Sequence, residues 1–348
     1  MKIESLKAGY HKNIIVKDLT LEVQNGEIIS LIGPNGGGKS TLLKSISGQI
    51  KLLGGAVFIG QQDIKHISLK ELSRKMSIVT TERIKPSHMT CRDVVLAGRL
   101  PYSDSFGMFG EDDFTSADRA MELMKIDKLK DKPYEALSDG QKQRALIARA
   151  ICQDPLYLIM DEPTSYLDIK HKMELMEVVK KLSCEGVSII MSLHEPQLAL
   201  QISDRVLTVD EEGNVHCMEP KAVLKSDLIK ELYDLSDEMY SAVKRQLQGS
   251  VGDDDSFAKT EKKTERKVRH SSYFLNKECE YYPCHDLPEE SFSCMFCYCP
   301  LYDMEDCGGE YTITDKGVKN CRNCIFPHKR ENYGAVIKKL KEKMYGKH

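Results

Sequence analysis

Short apolar runs alternate with helical patterns over residues 1 to about 235. The runs at 28–32, 156–160 and 187–193 are bounded by turn or polar residues, as expected of buried parallel strands. Between them, apolar residues recur at helical spacing, most clearly in 141–152 and 169–182. This alternation is typical of an α/β layered domain, and it predicts a core built mainly of parallel strands.

The first segments follow a different pattern. Polar and apolar residues alternate in 2–8 and 19–23, which predicts a small, half-exposed antiparallel sheet added to the parallel core. The charges within residues 1–10 indicate an edge strand there and not a signal peptide. Because no apolar run approaches the roughly 18 residues of a membrane-spanning helix, we expect a cytoplasmic chain that reaches any membrane through a partner.

Three parts are expected along the chain. A first domain covers 1–235, a helical extension and flexible linker cover 236–270, and a small cysteine-rich domain covers 271–348. Between 248 and 270 the apolar residues give way to Gly, Asp, Ser, Thr, Lys and Glu, which is typical of a linker. Near the end, at 332–347, apolar residues at helical spacing among lysines predict a basic amphipathic helix, either packed on the small domain or docked on a membrane surface.

The composition is that of an ordinary globular protein, with 41% hydrophobic and 30% charged residues. A formal net charge of -3 argues against a general nucleic-acid coat, which is normally strongly basic. We therefore expect no nucleic-acid partner.

A phosphate-binding loop follows the strand at 28–32 and precedes a helical segment at 41–47. Its sequence fits the pattern G-x-x-x-x-G-K-[ST] in the strand–loop–helix setting that this pattern requires. The glycines allow backbone N–H groups to curl around phosphate oxygens at the positive end of a helix. Lys39 supplies a point charge to the β- and γ-phosphates, and the Ser40 hydroxyl reaches Mg²⁺. The predicted ATP contacts here are Gly33, Pro34, Asn35, Gly36, Gly37, Gly38, Lys39, Ser40 and Thr41.

Two acids end the apolar run at 156–160. Asp161 is placed to hold Mg²⁺, directly or through water. Glu162, one residue further, is placed to orient and deprotonate the attacking water. Together with the phosphate loop, this pair predicts an ATP-hydrolysing site.

Over roughly residues 1–235 the chain resembles the ATP-binding cassette (ABC) family. The segment Leu137-Ser138-Asp139-Gly140-Gln141 is similar to the family's signature motif, and Ser138 is expected to cap the following helix. In the family this motif meets the nucleotide bound by the opposite subunit, so the resemblance implies a head-to-tail homodimer in which Ser138, Gly140 and Gln141 contact ATP. Asp139 departs from the commoner Gly and adds negative charge near phosphate.

Other family positions also have counterparts. Ser165-Tyr166-Leu167-Asp168 is similar to the loop that touches the partner subunit's phosphate loop, and His194 to the histidine that contacts the γ-phosphate. Tyr10 is similar to the aromatic residue that stacks on adenine. At the position of the family's Mg²⁺-sensing Gln, alignment places Thr81, with Glu82 as a substitute. Thr has a shorter reach than Gln, so no Mg²⁺ role is assigned there.

Residues 96–102 resemble a segment of importers for iron–siderophore complexes, haem and cobalamin. This implies membrane permease subunits and an extracytoplasmic substrate-binding protein as partners, and a place on the cytoplasmic face of the membrane. Tyr102, Phe106, Met108 and Phe109 form either an apolar docking patch for the permease or local packing. Two alternatives remain: a soluble ABC ATPase without a transport role, and the motor of an exporter.

The 12 cysteines are unevenly placed. Buried packing is expected for the four scattered ones, Cys91, Cys152, Cys184 and Cys217. The others fall in one cluster near the C-terminus, which in a reducing compartment favours a metal over disulfides. The predicted ligands are Cys279, Cys284, Cys294, Cys297, Cys299, Cys307, Cys321 and Cys324, with His285 and His328 as further candidates.

The cluster contains two C-x-x-C pairs, a spacing that wraps one turn around a metal ion. The thiols exceed one Zn²⁺ site, so two Zn²⁺ ions or one iron–sulfur cluster with leftover ligands are expected. The segment resembles a small cysteine-rich module sometimes attached to cobalamin-synthesis proteins, which favours a corrinoid cargo. Structural, sensing and metal-delivery roles, or a metal-stapled protein-binding surface, are all compatible with this pattern.

Overall fold

A computed structural model of the protein describes residues 1–11, 13–82, 84–103 and 108–248. Further along it describes residues 304, 306–313, 319–320, 324–326, 329, 332, 335–336 and 338–339. The chain divides into two compact units, Met1–Arg266 and Lys267–His348. The expected linker after residue 248 lies outside the described residues.

The strands are β1 (Lys2–Tyr10), β2 (Asn13–Glu22), β3 (Ile28–Ile32), β4 (Gly54–Ile59), β5 (Gln62–Asp63), β6 (Met76–Val79), β7 (Tyr157–Met160), β8 (Ser188–Ser192), β9 (Arg205–Val209), β10 (Val215–Met218), β11 (Thr312–Ile313) and β12 (Lys319–Asn320). The α-helices are α1 (Lys39–Ile46), α2 (Leu69–Lys75), α3 (Cys91–Leu96), α4 (Glu111–Leu123), α5 (Asp139–Cys152), α6 (Ile169–Cys184), α7 (Pro196–Ile202), α8 (Pro220–Lys225), α9 (Leu228–Leu232) and α10 (Asp237–Gln248). Short 3₁₀ turns cover Ile64–His66, Ala97–Arg99, Asp127–Leu129 and Tyr134–Ala136.

The larger sheet has the order β10-β9-β3-β8-β7-β6. Its strands pair in parallel from β9 to β6, and β10 adds to one edge in the antiparallel sense. Every residue of β3 and β8 is buried. Ile28 and Ile32 pack into one apolar cluster while Ile29 and Leu31 pack into the other, so the central strand is covered on both faces. The predicted parallel core is confirmed, because strands buried on both faces read as continuous apolar runs.

The smaller sheet is antiparallel, with the order β2-β1-β4-β5. Alternating burial along β1 and β2 confirms the predicted half-exposed sheet. The prediction of an edge strand at residues 1–10 was wrong, because β1 lies between β2 and β4. Its charges follow instead from the sheet's exposed face, where Lys2 and Glu4 pair with each other at 2.6 Å.

Helices α3, α4 and α5 pack against one another and form the helical part of the first unit. With the two sheets they give the predicted α/β cassette fold. The cysteine prediction holds for Cys91 and Cys152, which are buried, and burial raises the pKa of their thiols to about 11 and about 12. It was wrong for Cys217, which is exposed on β10, and Cys184 is only partly buried.

In the second unit, β11 and β12 form a short antiparallel pair. Cys307, Cys324 and Val336 are buried, with Met304 and Phe326 packed on them. Ala335, Val336, Lys338 and Lys339 are helical, which agrees with the predicted C-terminal helix over the described residues. Among all the residues that the structure describes, none belongs to a helix long and apolar enough to cross a membrane.

Candidate active site

The phosphate loop runs from the carboxyl end of β3 to the first turn of α1. Gly38, at the start of α1, has φ 91°, and a Cβ there would lie 2.5 Å from the Ile15 Cγ2 atom. A larger residue would therefore be strained in both backbone and packing. Gly36 has φ 82°, and an added Cβ would meet nothing within 4 Å, so the loop is open on that side. The loop geometry fits an incoming anion at a helix N-terminus.

Lys39 is folded back onto this loop. Its ammonium donates to the Gly33 carbonyl at 2.9 Å and to the Pro34 carbonyl at 2.7 Å. The residue is 5% exposed. Burial lowers the pKa of Lys39, and the charges of Glu162 and Asp161 partly oppose that shift. The cation therefore lies in the field of both acids that follow β7.

Asp161 leaves β7 almost completely buried, with 4% of the residue exposed. Its Oδ1 atom accepts a hydrogen bond from the Ser192 hydroxyl at 2.7 Å. Its Oδ2 atom is buried and, among the described residues, has no hydrogen-bond partner. A buried, unpartnered carboxylate oxygen is costly unless something binds it. Carboxylate and hydroxyl oxygens are ligands that suit Mg²⁺, so the chemistry of this oxygen and of the Ser40 hydroxyl at the start of α1 fits that ion.

Glu162 and His194 are brought together by the ends of neighbouring strands β7 and β8. The Glu162 Oε1 atom lies 2.7 Å from the Nε2 atom of His194. The Ser165 hydroxyl donates to the Glu162 Oε2 atom at 3.4 Å. Both side chains are partly accessible, at 26% for Glu162 and 42% for His194. Water can therefore reach both side chains.

The signature segment starts helix α5 as expected. The Ser138 hydroxyl accepts from the Gln141 N–H at 3.3 Å, and the Gln141 side chain accepts from the Ser138 N–H at 3.0 Å. This capping box confirms the predicted cap. A Cβ on Gly140 would lie 2.9 Å from the Tyr166 carbonyl oxygen, so Gly140 allows the 165–168 loop to approach the helix start.

Two predicted positions lie at the rim. Tyr10 is 45% exposed at the end of β1, where its ring is accessible to a ligand. Thr81 and Glu82 are exposed, and the Glu82 carboxylate pairs with the Lys44 ammonium at 2.8 Å. Lys44 lowers the pKa of Glu82. Glu82 is therefore engaged by helix α1, which does not support it as a substitute for the missing Gln.

Sequence reasoning gave no role to Ser192, whose hydroxyl contacts Asp161 and the backbone of Glu162. The available signal was a hydroxyl residue two positions before His194, at the end of a strand whose middle residues are apolar.

Of the predicted tail ligands, the structure describes Cys307 and Cys324. Cys279, Cys284, Cys294, Cys297, Cys299 and Cys321, like His285 and His328, lie outside the described residues. Within the described part of the chain, no group of three or more His, Cys, Asp or Glu side chains is arranged to hold a metal ion.

A strand–loop–helix phosphate cradle beside two acids and a histidine defines a P-loop nucleotide hydrolase. Comparison with known proteins narrows this class. The ABC transporter family model matches residues 16–165, and a model described as "Cysteine-rich small domain" matches residues 270–348. The chain belongs to the ABC transporter family, as an ATP-binding and ATP-hydrolysing subunit.

Curated relatives cover most of the first unit. An ABC transporter ATP-binding protein of Methanocaldococcus jannaschii is 40% identical over 244 residues, which is 70% of this chain and 84% of the relative. The petrobactin import ATP-binding protein of Bacillus subtilis is 35% identical, and the match covers 68% of this chain and 93% of that relative. The ferric enterobactin transport ATP-binding protein of Escherichia coli is 32% identical, covering 67% and 86%.

Solved structures give the same fold. A metal-chelate type ABC transporter in an inward-facing conformation matches with a TM-score of 0.59 and 25% identity, covering 67% of this chain and 88% of that chain. A dimeric bacterial ABC transporter cassette matches with a TM-score of 0.56 and 26% identity, covering 63% and 98%. The predicted fold class is thereby confirmed.

Proposed function

We propose that this chain powers an importer of iron-chelate complexes from the cytoplasmic face of a membrane. Relatives named for petrobactin import and ferric enterobactin transport carry this proposal, at 35% and 32% identity over most of their length. The partners in this proposal are permease subunits and an extracytoplasmic substrate-binding protein. The cassette's resemblance includes cobalamin importers and the tail's resemblance favours a corrinoid, but the relatives named here import iron chelates, so the iron chelate is favoured.

In the proposed reaction the loop N–H groups and Lys39 bind the β- and γ-phosphates. Glu162 accepts a proton from the attacking water, and His194, 2.7 Å from that carboxylate, contacts the γ-phosphate. Mg²⁺, held by Ser40 and the Oδ2 atom of Asp161, would supply charge neutralisation on the phosphates. Tyr10 stacks on adenine at the open rim.

Two copies of the cassette close head to tail in this proposal. The start of α5 then presents Ser138, Gly140 and Gln141 to the partner's nucleotide, where N–H groups at a helix N-terminus favour an anion. The exposed Tyr166 and Ile169, at 62% and 82%, support a contact surface beside that motif. Hydrolysis removes the γ-phosphate between the two copies and reopens them.

The permease is proposed to dock on α2 and the segment after Ala97–Arg99. Leu69 and Leu100 are 82% and 55% exposed there. The two segments are joined where the Arg74 side chain donates to the Pro101 carbonyl at 2.9 Å. Of the predicted docking residues, Met108 is 69% exposed, Phe109 packs partly on the core, and Phe106 lies outside the described residues. The centroid of the Tyr102 ring lies 4.0 Å from the Arg99 guanidinium carbon, which supports local packing for this residue.

Affinity purification from the native membrane tests this assignment. The full chain should retain a polytopic permease, and the double variant Leu69→Glu/Leu100→Glu should lose it while keeping the ATPase activity of the isolated protein. The control is Met239→Glu, which places a carboxylate on a 59% exposed methionine of α10. Recovery of ribosomes or DNA with no permease would favour the soluble role and contradict transport.

For the tail we propose a metal site, Zn²⁺ or iron–sulfur, that includes Cys307 and Cys324. Both residues are buried, at 5% and 7% exposed. The Cys307 thiol lies 3.7 Å from the Gly309 carbonyl oxygen, and a Cβ on Gly309 would lie 2.5 Å from the Cys324 sulfur. Gly308, with φ 80°, forms the turn between Cys307 and Gly309. Two buried thiols beside the same glycine turn would supply two of the four ligands of a tetrahedral site.

Metal analysis of the anaerobically purified full chain tests this site. Cys307→Ser and Cys324→Ser should each lose the same metal equivalent, and the double variant should lose no more than either one. Cys217→Ser, which removes an exposed thiol of the first unit, should lose none. Because a serine variant can unfold the tail, Cys307→His and Cys324→His are added. When Co²⁺ is supplied as the metal, each of these variants should bind it and shift its absorption spectrum. Additive losses, or a metal-free wild type with oxidised thiols, would refute the shared site.

A further inference from the structure

Ser192 lies at the carboxyl end of β8, between the strands that carry the phosphate loop and the acids. It is completely buried, at 0% exposed. Its hydroxyl donates to the Asp161 Oδ1 atom at 2.7 Å and accepts from the Glu162 N–H at 2.8 Å. A hydroxyl has one hydrogen to donate, and here it goes to Asp161 while a lone pair serves Glu162. One side chain therefore joins the two acids of the site.

The first consequence concerns which oxygen of Asp161 is left for a ligand. The terminal torsion of an Asp side chain is broad, so a carboxylate held on neither oxygen would sample several orientations. The bond from Ser192 fixes Oδ1, and the buried Oδ2 atom is left without a partner among the described residues. The hydroxyl thus selects Oδ2 as the oxygen presented at the nucleotide site.

The second consequence concerns the backbone of Glu162. This residue has φ 49°, in the left-handed region that a non-glycine residue occupies only when its surroundings hold it there. Its N–H is held by Ser192, while the preceding N–H, that of Asp161, donates to the Val79 carbonyl at 2.8 Å. This backbone turn directs the Glu162 carboxylate to His194.

We propose that Ser192 is a positioning residue for ATP hydrolysis, which sets the metal-ligand oxygen of Asp161 and the direction of Glu162 with a single hydroxyl. The proposal rests on the proposed roles of those two acids. It predicts that losing the hydroxyl lowers the turnover rate and also raises the Mg²⁺ concentration that the protein needs, because the Asp161 carboxylate then becomes free to rotate. A purely structural serine would lower stability and leave the Mg²⁺ dependence unchanged.

The strand itself supplies a matched control. Ser188, at the other end of β8, is 1% exposed, and its hydroxyl donates to the Gln24 carbonyl at 2.8 Å. Ser188→Ala therefore removes a buried, hydrogen-bonded hydroxyl from the same strand, away from the acids. Ser192→Thr restores a hydroxyl with a β-branched side chain that a strand accommodates. Ser192→Cys keeps nearly the same shape with a much weaker donor.

Ser192→Ala and Ser192→Cys should lower kcat by about tenfold to about a hundredfold and raise the Mg²⁺ concentration for half-maximal activity. Calorimetry of nucleotide binding, with Mg²⁺ and with EDTA, should show that Mg²⁺ raises the affinity for nucleotide less in both variants than in the wild type. Ser188→Ala should change only the melting temperature, and Ser192→Thr should recover the wild-type Mg²⁺ dependence. If Ser192→Ala does not fold, the cysteine variant gives the same comparison.

Wild-type Mg²⁺ dependence in the folded alanine or cysteine variant would overturn the proposal, as would an equal shift in Ser188→Ala. A failure of the underlying roles is recognised separately. In that case Glu162→Gln would hydrolyse ATP normally, whatever the behaviour of the Ser192 variants.

Discussion

Glu162→Gln should lower kcat for ATP hydrolysis by about 100-fold to about 10,000-fold, the usual contribution of a general base. The amide keeps the size and shape of the side chain and removes its capacity to take a proton from water. Since the loop and Lys39 are untouched, ATP should still bind. Steady-state ATPase rates and equilibrium binding of ATP, measured on the same full-length preparations, check both halves of the prediction.

Glu195→Gln is the matched control for this substitution. Glu195 follows His194 directly, is partly buried, and forms an ion pair with Lys172 on α6. The same loss of charge occurs there one residue beyond the histidine, so a general electrostatic effect on the site would appear in both variants. Near-normal hydrolysis by Glu162→Gln would refute the base assignment. An equal loss in Glu195→Gln would show that the charge, and not proton transfer, is what matters.

The parts of this site that the sequence predicts well are those built from contiguous residues. The phosphate loop needs its flanking strand and helix, and β3 is observed at Ile28–Ile32 as its apolar run predicts. The acids Asp161 and Glu162 follow β7 for the same local reason. The Ser138 cap likewise depends on residues three apart, so its hydrogen bonds could be anticipated from the motif.

The parts that could not be predicted depend on residues distant along the chain. The Ser192 hydroxyl meets Asp161 across a sequence separation of 31 because β7 and β8 are neighbours in the sheet. The pairing of Glu82 with Lys44 depends on the approach of the 80–82 segment to α1. β1 is an inner strand because β4 pairs with its second edge. Alternating polarity along β1 does not reveal that pairing. A single sequence carries no direct signal for such contacts.

Lys39→Ala should weaken ATP binding and hydrolysis by about 100-fold or more, comparable to removing one preorganised donor from a charged transition state. The ammonium is buried and donates to two loop carbonyls, at 2.9 Å and 2.7 Å. Phosphate oxygens would replace those neutral acceptors with charged ones, and charge-assisted bonds are the stronger kind. Lys39→Arg should not rescue the function, because the planar fork of arginine does not fit a loop that holds a compact ammonium.

The control for this second variant is Lys44→Ala, on the same helix. Lys44 pairs with the 75% exposed carboxylate of Glu82, and such surface pairs contribute little. Its removal lowers the net charge of α1 by the same amount but leaves the loop donors in place. The dissociation constant for ATP should therefore be higher in Lys39→Ala than in Lys44→Ala by at least about tenfold, since a donor contact to phosphate is lost only in Lys39→Ala. Equal weakening in both would mean that the overall charge of the helix binds the phosphates, and the specific role of Lys39 would have to be abandoned.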